Sequence, residues 1–279
     1  MKIRRRQFIR STAAGAVGAA LGFTGCVTAG KPRGNKIPVG LQLYTLRNEC
    51  KTDFPGAIAA AADIGFRGVE FAGYWNRSAG EIRRLLDDHG LVACGSHTPY
   101  NDVLPDKLAA TIEFNQILGN KFIIVPSMTA KTRQEWRERA AQFNELADRL
   151  KPHGLWIGYH AHAHDFQPMD GERPWDVFFG QTKREVIMQL DTANCCEGGA
   201  DPVTVLNQYP GRVRTIHIKP FGAGPEAIIG EDTINWPAVF DFCETRGNTQ
   251  WYVVEHETSK NPLQTARRTF EKLRALGKV

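Results

Sequence analysis

The 279-residue sequence contains no apolar run of the roughly 20 residues that a bilayer-spanning helix needs. Its apolar stretch Ala13–Phe23 stops at about 11 residues. Cysteine is sparse: Cys26, Cys50, Cys94, Cys195, Cys196 and Cys243, with no Cys-x-x-Cys spacing. That excludes the usual zinc-knuckle and dithiol redox motifs, and a chain of this size needs no disulfides to fold. The last five therefore read as mostly buried, reduced thiols. A glycine-rich phosphate loop is missing after the first predicted strand, where Gln42-Leu43-Tyr44-Thr45-Leu46-Arg47 stands instead, which argues against an open dinucleotide-binding sheet. The body also lacks an excess of either charge. Lys plus Arg is 35 and Asp plus Glu is 30, but Lys2, Arg4, Arg5, Arg6 and Arg10 supply the whole difference. Residues 31–279 are balanced, so the high pI implies no nucleic-acid partner.

What is present begins with an export signature. Arg5-Arg6-Gln7-Phe8-Ile9-Arg10 resembles a twin-arginine motif, and the short apolar run follows it. Phe23-Thr24-Gly25-Cys26 then resembles a lipobox with Cys26 as the lipidated residue. Residues 1–30 are expected to be a signal peptide, and the product a periplasmic protein or a lipoprotein whose only membrane contact is a lipid anchor at Cys26.

From residue 36 to 279, short apolar runs alternate with longer amphipathic stretches, the pattern of strand–helix units around a parallel sheet. Eight strands are predicted: Val39–Leu43, Gly68–Phe71, Val92–Ser96, Phe122–Val125, Trp156–His160, Val186–Leu190, Thr215–Ile218 and Tyr252–Glu255. Ser78 with Glu81, and Thr132 with Glu135, fit capping boxes. Gly65, Gly90, Gly119, Gly154 and Gly247 each sit between a helical stretch and a strand, where a left-handed residue ends the helix. Eight such units in one domain predict an α/β fold, a single-domain (β/α)8 TIM barrel.

In that fold the carboxyl ends of the strands carry the chemistry. Polar residues gather there: Glu70, His97, the run His160-Ala161-His162-Ala163-His164, Asp191, His217 with Lys219, and Glu255 with Glu257. Strand alternation puts His160, His162 and His164 on one side while the chain stays extended. Several carboxylates at one barrel mouth repel unless a cation compensates them. A divalent metal resolves this, and mixed oxygen and nitrogen ligands suit Mn, Zn, Co or Fe better than Ca or Mg. His89 and His153 read as helix-end partners, and His256 should face away from the site. Arg47, Tyr100 and Trp75 are further residues that would shape a pocket.

At these residues the chain resembles the sugar phosphate isomerase/epimerase family, the xylose-isomerase-like barrels. The resemblance rests on an ordered set: Val39–Arg47, Ile64–Glu70, Gly158–Gly171, Leu190–Asp191, Gly199–Pro202, Tyr209–Arg212, His217-Ile218-Lys219 and Trp251–Glu257. It implies one divalent ion, manganese foremost, on Asp191, His217 and Glu255, with the strand-five ligand at His160 or His162. It implies catalytic roles for His162, Glu255 and Lys219, and substrate contacts from His97 and Lys219; Glu70 and Glu257 are further substrate-contact candidates from their strand-end positions, and for Glu70 and His97 structural hydrogen bonding is an equal alternative. The sequence departs from the family at Pro220, where Asp is usual, and at Gly230-Glu231-Asp232.

The implied activity is proton abstraction next to a ketose or keto-sugar carbonyl through an enediolate. Metal-dependent isomerisation or epimerisation is the first expectation. A keto-glycoside lyase or dehydratase, working by β-elimination as in the inosose-dehydratase relatives, is the alternative, and a non-catalytic sugar-binding lipoprotein the third. The partner in each case is a small sugar or glycoside.

Overall fold

The short apolar runs pair into one parallel sheet, and the long amphipathic stretches cover its outside. A computed structural model describes residues 36–279; the twin-arginine stretch, its apolar run and Cys26 lie outside the described residues. The strands are β1 (Val39–Gln42), β2 (Gly68–Phe71), β3 (Val92–His97), β4 (Phe122–Val125), β5 (Trp156–His160), β6 (Ile187–Gln189), β7 (Thr215–Ile218) and β8 (Trp251–Val254). Their spatial order is β6-β5-β4-β3-β2-β1-β8-β7. The two ends of that series meet at a seam. There Met188 N donates to Arg212 O at 3.0 Å, His217 N donates to Leu190 O at 2.9 Å, and Asp191 bridges to His217. The result is a nearly closed eight-stranded barrel, as predicted.

The helices are α1 (Arg47–Thr52), α2 (Phe54–Ile64), α3 (Ala79–Asp88), α4 (Leu108–Leu118), α5 (Arg133–Leu150), α6 (Pro174–Gln181), α7 (Thr192–Glu197), α8 (Pro202–Gln208), α9 (Trp236–Thr245) and α10 (Pro262–Ala275). Ser78 and Glu81 form the reciprocal box that opens α3. At α5 only half of the second box forms: Thr132 accepts from Glu135 N, while the Glu135 carboxylate takes Lys131 N instead. Gly65, Gly119 and Gly154 are left-handed at helix ends, but after α9 that role falls to Asn248 rather than Gly247. Among the described residues no helix is long and apolar enough to cross a membrane.

Strand alternation divides the barrel interior into layers. At the amino ends of the strands, Phe122, Ile124 and Ile187 pack together with Trp156 and Trp251 against them. The Arg214 guanidinium lies over the Trp156 ring at 3.6 Å. Gln189, two residues beyond Ile187 on β6, is polar and fully buried, as are Gln42 on β1, Glu70 on β2 and Thr215 on β7. Cys50, Cys94, Cys195 and Cys243 are buried free thiols, and Cys196 is half-buried.

One irregularity bears on the site. Val69 pairs with Ala93, but Glu70 pairs with Gly95, so β3 carries an extra residue. Such a bulge shifts the facing of everything after it. Ser96 consequently bonds Asn115 of α4 and Asn120 outside the barrel, while His97 turns inward to Gln189.

Candidate metal centre at the barrel mouth

Each strand end delivers one donor to the same space. His160 ends β5, Asp191 follows β6, His217 lies on β7 and Glu255 follows β8. One ligand atom from each of the four lies within 4.8 Å of the other three, and all four residues are buried. Asp191 caps α7: its Oδ1 accepts from Asn194 N at 2.8 Å. Its Oδ2 is buried with no hydrogen-bond partner, 3.9 Å from His160 Nε2, 3.7 Å from His217 Nδ1 and 3.5 Å from Lys219 Nζ. A buried carboxylate oxygen left unpartnered is destabilising, and a cation at that point removes the penalty. Two imidazoles and two carboxylates suit a divalent transition ion. The residues fit the metal.

Of the two roles expected for Glu70, substrate contact and structural hydrogen bonding, the structure shows the second. It is fully buried, and protein side chains take both its oxygens: Gln42 Nε2 at 2.8 Å and His217 Nε2 at 2.5 Å on Oε2, and Gln189 Nε2 at 2.8 Å on Oε1. His97 Nε2 lies 3.2 Å from Oε2. Burial alone would raise the Glu70 carboxyl; the charges and hydrogen bonds of His97 and His217 overcome it and hold the group well below the usual carboxylate range. An ionised Glu70 then dictates which way the neighbouring polar groups point. Gln189 must turn its NH2 toward Glu70, so its Oε1 faces His97 Nε2 and His160 Nδ1, both at 2.9 Å. His160 therefore carries its proton on Nδ1 and presents an Nε2 lone pair to Asp191. His217 gives its Nε2 proton to Glu70 and turns Nδ1 toward Asp191 and Glu255. Carboxylates behind metal-bound imidazoles act in this way generally.

The electrostatics of the open cluster follow. Burial would lower His217, but Glu70 and Glu255 raise it to about 10, so without a cation it is an imidazolium bridging two carboxylates. Burial raises Asp191 to about 6 against the pull of Lys219. Burial and its histidine neighbours depress His160 strongly, which keeps it neutral. Lys219 donates to Glu257 at 2.5 Å and Asn194 at 3.1 Å; despite burial, Asp191, Glu255 and Glu257 hold it above the ordinary amine value.

A cleft of about 370 Å3 opens above the cluster, lined by Tyr44, His97, His160, His162, Glu255 and Glu257 among others. His162 is half-buried there; its Nδ1 has no partner, and burial followed by the charge of His164 lowers it to about 4. His164 does not join it. The chain leaves the extended form in a 3-10 turn over Ala163–Phe166, pinned by Asp165 accepting from His162 N and Tyr159 Oη, and His164 turns to Met128 O. Arg47 fixes the mouth from outside, donating to Tyr44 O and Glu257 O. Tyr100 instead bonds Arg139 and Gln142 on α5, and Trp75 packs on Phe54. His256 faces α10 and bonds Thr269, as expected. Gln42, Gln189, Thr192 and Asn194 were missed by the sequence reading. The legible signal was alternation, since Gln189 stands two residues before Asp191 and must share its face.

The family model for the xylose isomerase-like TIM barrel matches residues 58–276. An inosose dehydratase of Clostridium beijerinckii is 22% identical over 259 residues, spanning 76% of this chain and 86% of its own. A solved sugar phosphate isomerase/epimerase from Parabacteroides distasonis superposes with a TM-score of 0.74 at 23% identity, over 89% of this chain and 99% of that one. The zinc-bound IOLI protein superposes with a TM-score of 0.65 at 14% identity, over 86% and 98%.

Proposed function

We propose, from the premise that this chain belongs to the xylose isomerase-like TIM barrel family, that it removes the proton next to the carbonyl of an unphosphorylated keto sugar and completes an elimination. The observation that carries this reading is the unpartnered Asp191 Oδ2 at the centre of four buried donors. His160 Nε2, Asp191 Oδ2, His217 Nδ1 and Glu255 would hold one divalent ion. Manganese is the first choice for this donor set, with zinc, cobalt or iron as alternatives; the zinc of the IOLI protein supports the class of ion. When bound, the ion supplies a Lewis acid for the carbonyl oxygen and its neighbouring hydroxyl.

The chain's own groups do the rest. His162 is neutral and lines the cleft, so it is the base that takes the proton. With His160 and Glu255 both turned to the ion, no matched pair of free carboxylates among the described residues faces the cleft. A single base fits elimination: it takes the proton from carbon, the C–H pair becomes the C=C bond, the neighbouring C–O bond breaks, and the base returns the proton to the departing oxygen. Lys219 is held as ammonium and serves as a fixed positive charge beside the developing oxyanion. Among the described residues the cleft has no free cation for a phosphate, since Lys219 is engaged by carboxylates and Arg47 by carbonyls. The inosose-dehydratase relatives support the reaction type.

Epimerisation or isomerisation of a ketose is the second reading. It is favoured by Glu255 and His162 both lining the cleft, since two bases on different sides can move a proton between faces or carbons. The test is to load the full chain with Mn2+ and follow a 3-keto-glucoside and free ketoses by proton NMR in deuterated water. Release of the leaving group establishes elimination. Deuterium entering next to the carbonyl without cleavage establishes the isomerase or epimerase. No metal uptake and no exchange leave a sugar-binding lipoprotein.

A further inference from the structure

A second cavity, of about 360 Å3, lies beside the first. Glu257 lines both, and Lys219, which bonds Glu257, lines the second. Glu257, paired with Lys219, therefore stands where the two cavities adjoin. Each cavity falls in the range of about 300–1,000 Å3 typical of small-molecule sites.

The second cavity is bounded by fixed segments. One side is α7, through Ala193, Asn194 and Glu197; the other is the β7–α9 loop, through Pro220, Ala223 and Ala227. Asp232 ties that loop to itself, accepting from Phe221 N at 3.2 Å, Gly230 N at 3.0 Å and Trp236 Nε1 at 2.7 Å. Glu226 ties it to the loop after β8, accepting from Ser259 Oγ at 2.7 Å, Lys260 N at 2.6 Å and Thr265 Oγ1 at 2.8 Å. Glu257 is pinned at both ends, its carbonyl by Arg47 at 2.8 Å and its carboxylate by Lys219. Pro220 stands in the wall of the cavity, and Asp232 fastens the loop that forms it.

We infer that the second cavity receives the departing half of a two-part substrate, so that the substrate is a keto-glycoside with a neutral polyhydroxyl leaving group about the size of a second sugar ring. This rests on the elimination proposed above. The lining selects the class. Glu197 and Glu257 accept hydrogen bonds from hydroxyls and repel an anion, while the small faces of Ala193, Pro220 and Ala223 take the apolar face of a ring. The bridging oxygen lies at the ion pair, where the Lys219 ammonium donates to it as the C–O bond lengthens. The leaving sugar departs as its free alcohol, carrying the proton that His162 took from carbon.

The test compares the 3-keto form of a glucose disaccharide with the methyl glycoside of the same keto sugar, on the manganese-loaded full chain and on Ala223→Phe and Ala227→Leu. Both substitutions fill the second cavity without touching the four donors. In the wild type the disaccharide should exceed the methyl glycoside by about tenfold or more in kcat/KM, and the variants should abolish that advantage with bound metal unchanged. Equal rates for the two substrates in wild type and variants overturn the inference and leave the elimination standing. Binding of free glucose, read by saturation-transfer NMR, supplies a second measurement independent of turnover. Binding to the wild type that the variants lose supports the cavity assignment even if neither keto sugar reacts, an outcome that would defeat the elimination alone. Glucose binding absent or unaltered in the variants overturns the assignment.

Discussion

Asp191 and His217 face each other across the β6–β7 seam of the barrel, Oδ2 to Nδ1 at 3.7 Å. The seam carries few backbone bonds and is stitched above by Thr192, whose Oγ1 donates to Lys219 O at 2.7 Å and accepts from Lys219 N at 3.1 Å. Two donors of the candidate centre thus belong to different edges of the sheet. An ion held between them joins those edges.

Removing either oxygen donor should therefore remove the metal. The full chain is expected to bind one divalent ion, and Asp191→Ala and Glu255→Ala to lose it in dialysis followed by elemental analysis. Stripping the wild type with a chelator should lower its Tm, because a ligand bound only by the folded state stabilises it by about 2.7 kcal/mol at a hundredfold excess over Kd. A strong ion retained by both variants would contradict the ligand assignment.

Glu70 should matter without touching the ion. Glu70→Gln removes the charge that orders Gln189 and His217, and metal affinity should fall by about 10–100-fold, the usual effect of losing such a partner. Gly95→Ala offers an independent check, because a Cβ there would stand 2.3 Å from Glu70 Oε1 and push the carboxylate aside. Isothermal titration of both variants reads the effect directly.

Metal binding should release a proton. His217 is raised to about 10 in the open cluster, so near pH 7 its Nδ1 proton must leave before the ion can bind. Affinity should climb by about tenfold per pH unit up to that value, and more steeply below about 6, where Asp191 also holds a proton. The metal-free protein shows the opposite sign. The folded value of His217 lies above its ordinary 6.5, so its contribution to stability is complete below 6.5 and lost as pH rises through about 10. Titrations in buffers of different ionisation enthalpy count the protons released.

His162→Ala should lower kcat by about 10²–10⁴, the range for a general base, while leaving bound metal intact. Its value of about 4 keeps the base free across neutral pH, so an acid limb assigned to it should appear only near 4. Normal turnover in this variant would move the proton transfer to Glu255 and favour the epimerase reading.

Much of this architecture is legible in the sequence, because strand alternation is a local property. Gly-Val-Glu-Phe and Thr-Ile-His-Ile announce their strands, and polar residues at their ends announce a mouth. The bulge at Cys94–Gly95 is not legible: it arises where β3 must fit against β2, and it alone turns His97 inward. Nor is the burial of Glu70, which depends on four partners from three other strands and the end of β3. His164 left the expected face because Asp165 bonds the His162 backbone and winds the chain, a contest between local hydrogen bonding and extension that periodicity does not resolve.

The tryptophan and isoleucine layer at the amino ends of the strands makes the barrel a blind well. Phe122, Ile124 and Ile187 close its floor, with Arg214 laid across Trp156. All traffic then passes through the mouth. The keto product made at the cluster should leave through the cleft by which the next molecule enters and compete there with fresh substrate, while the departing sugar has the adjoining second cavity.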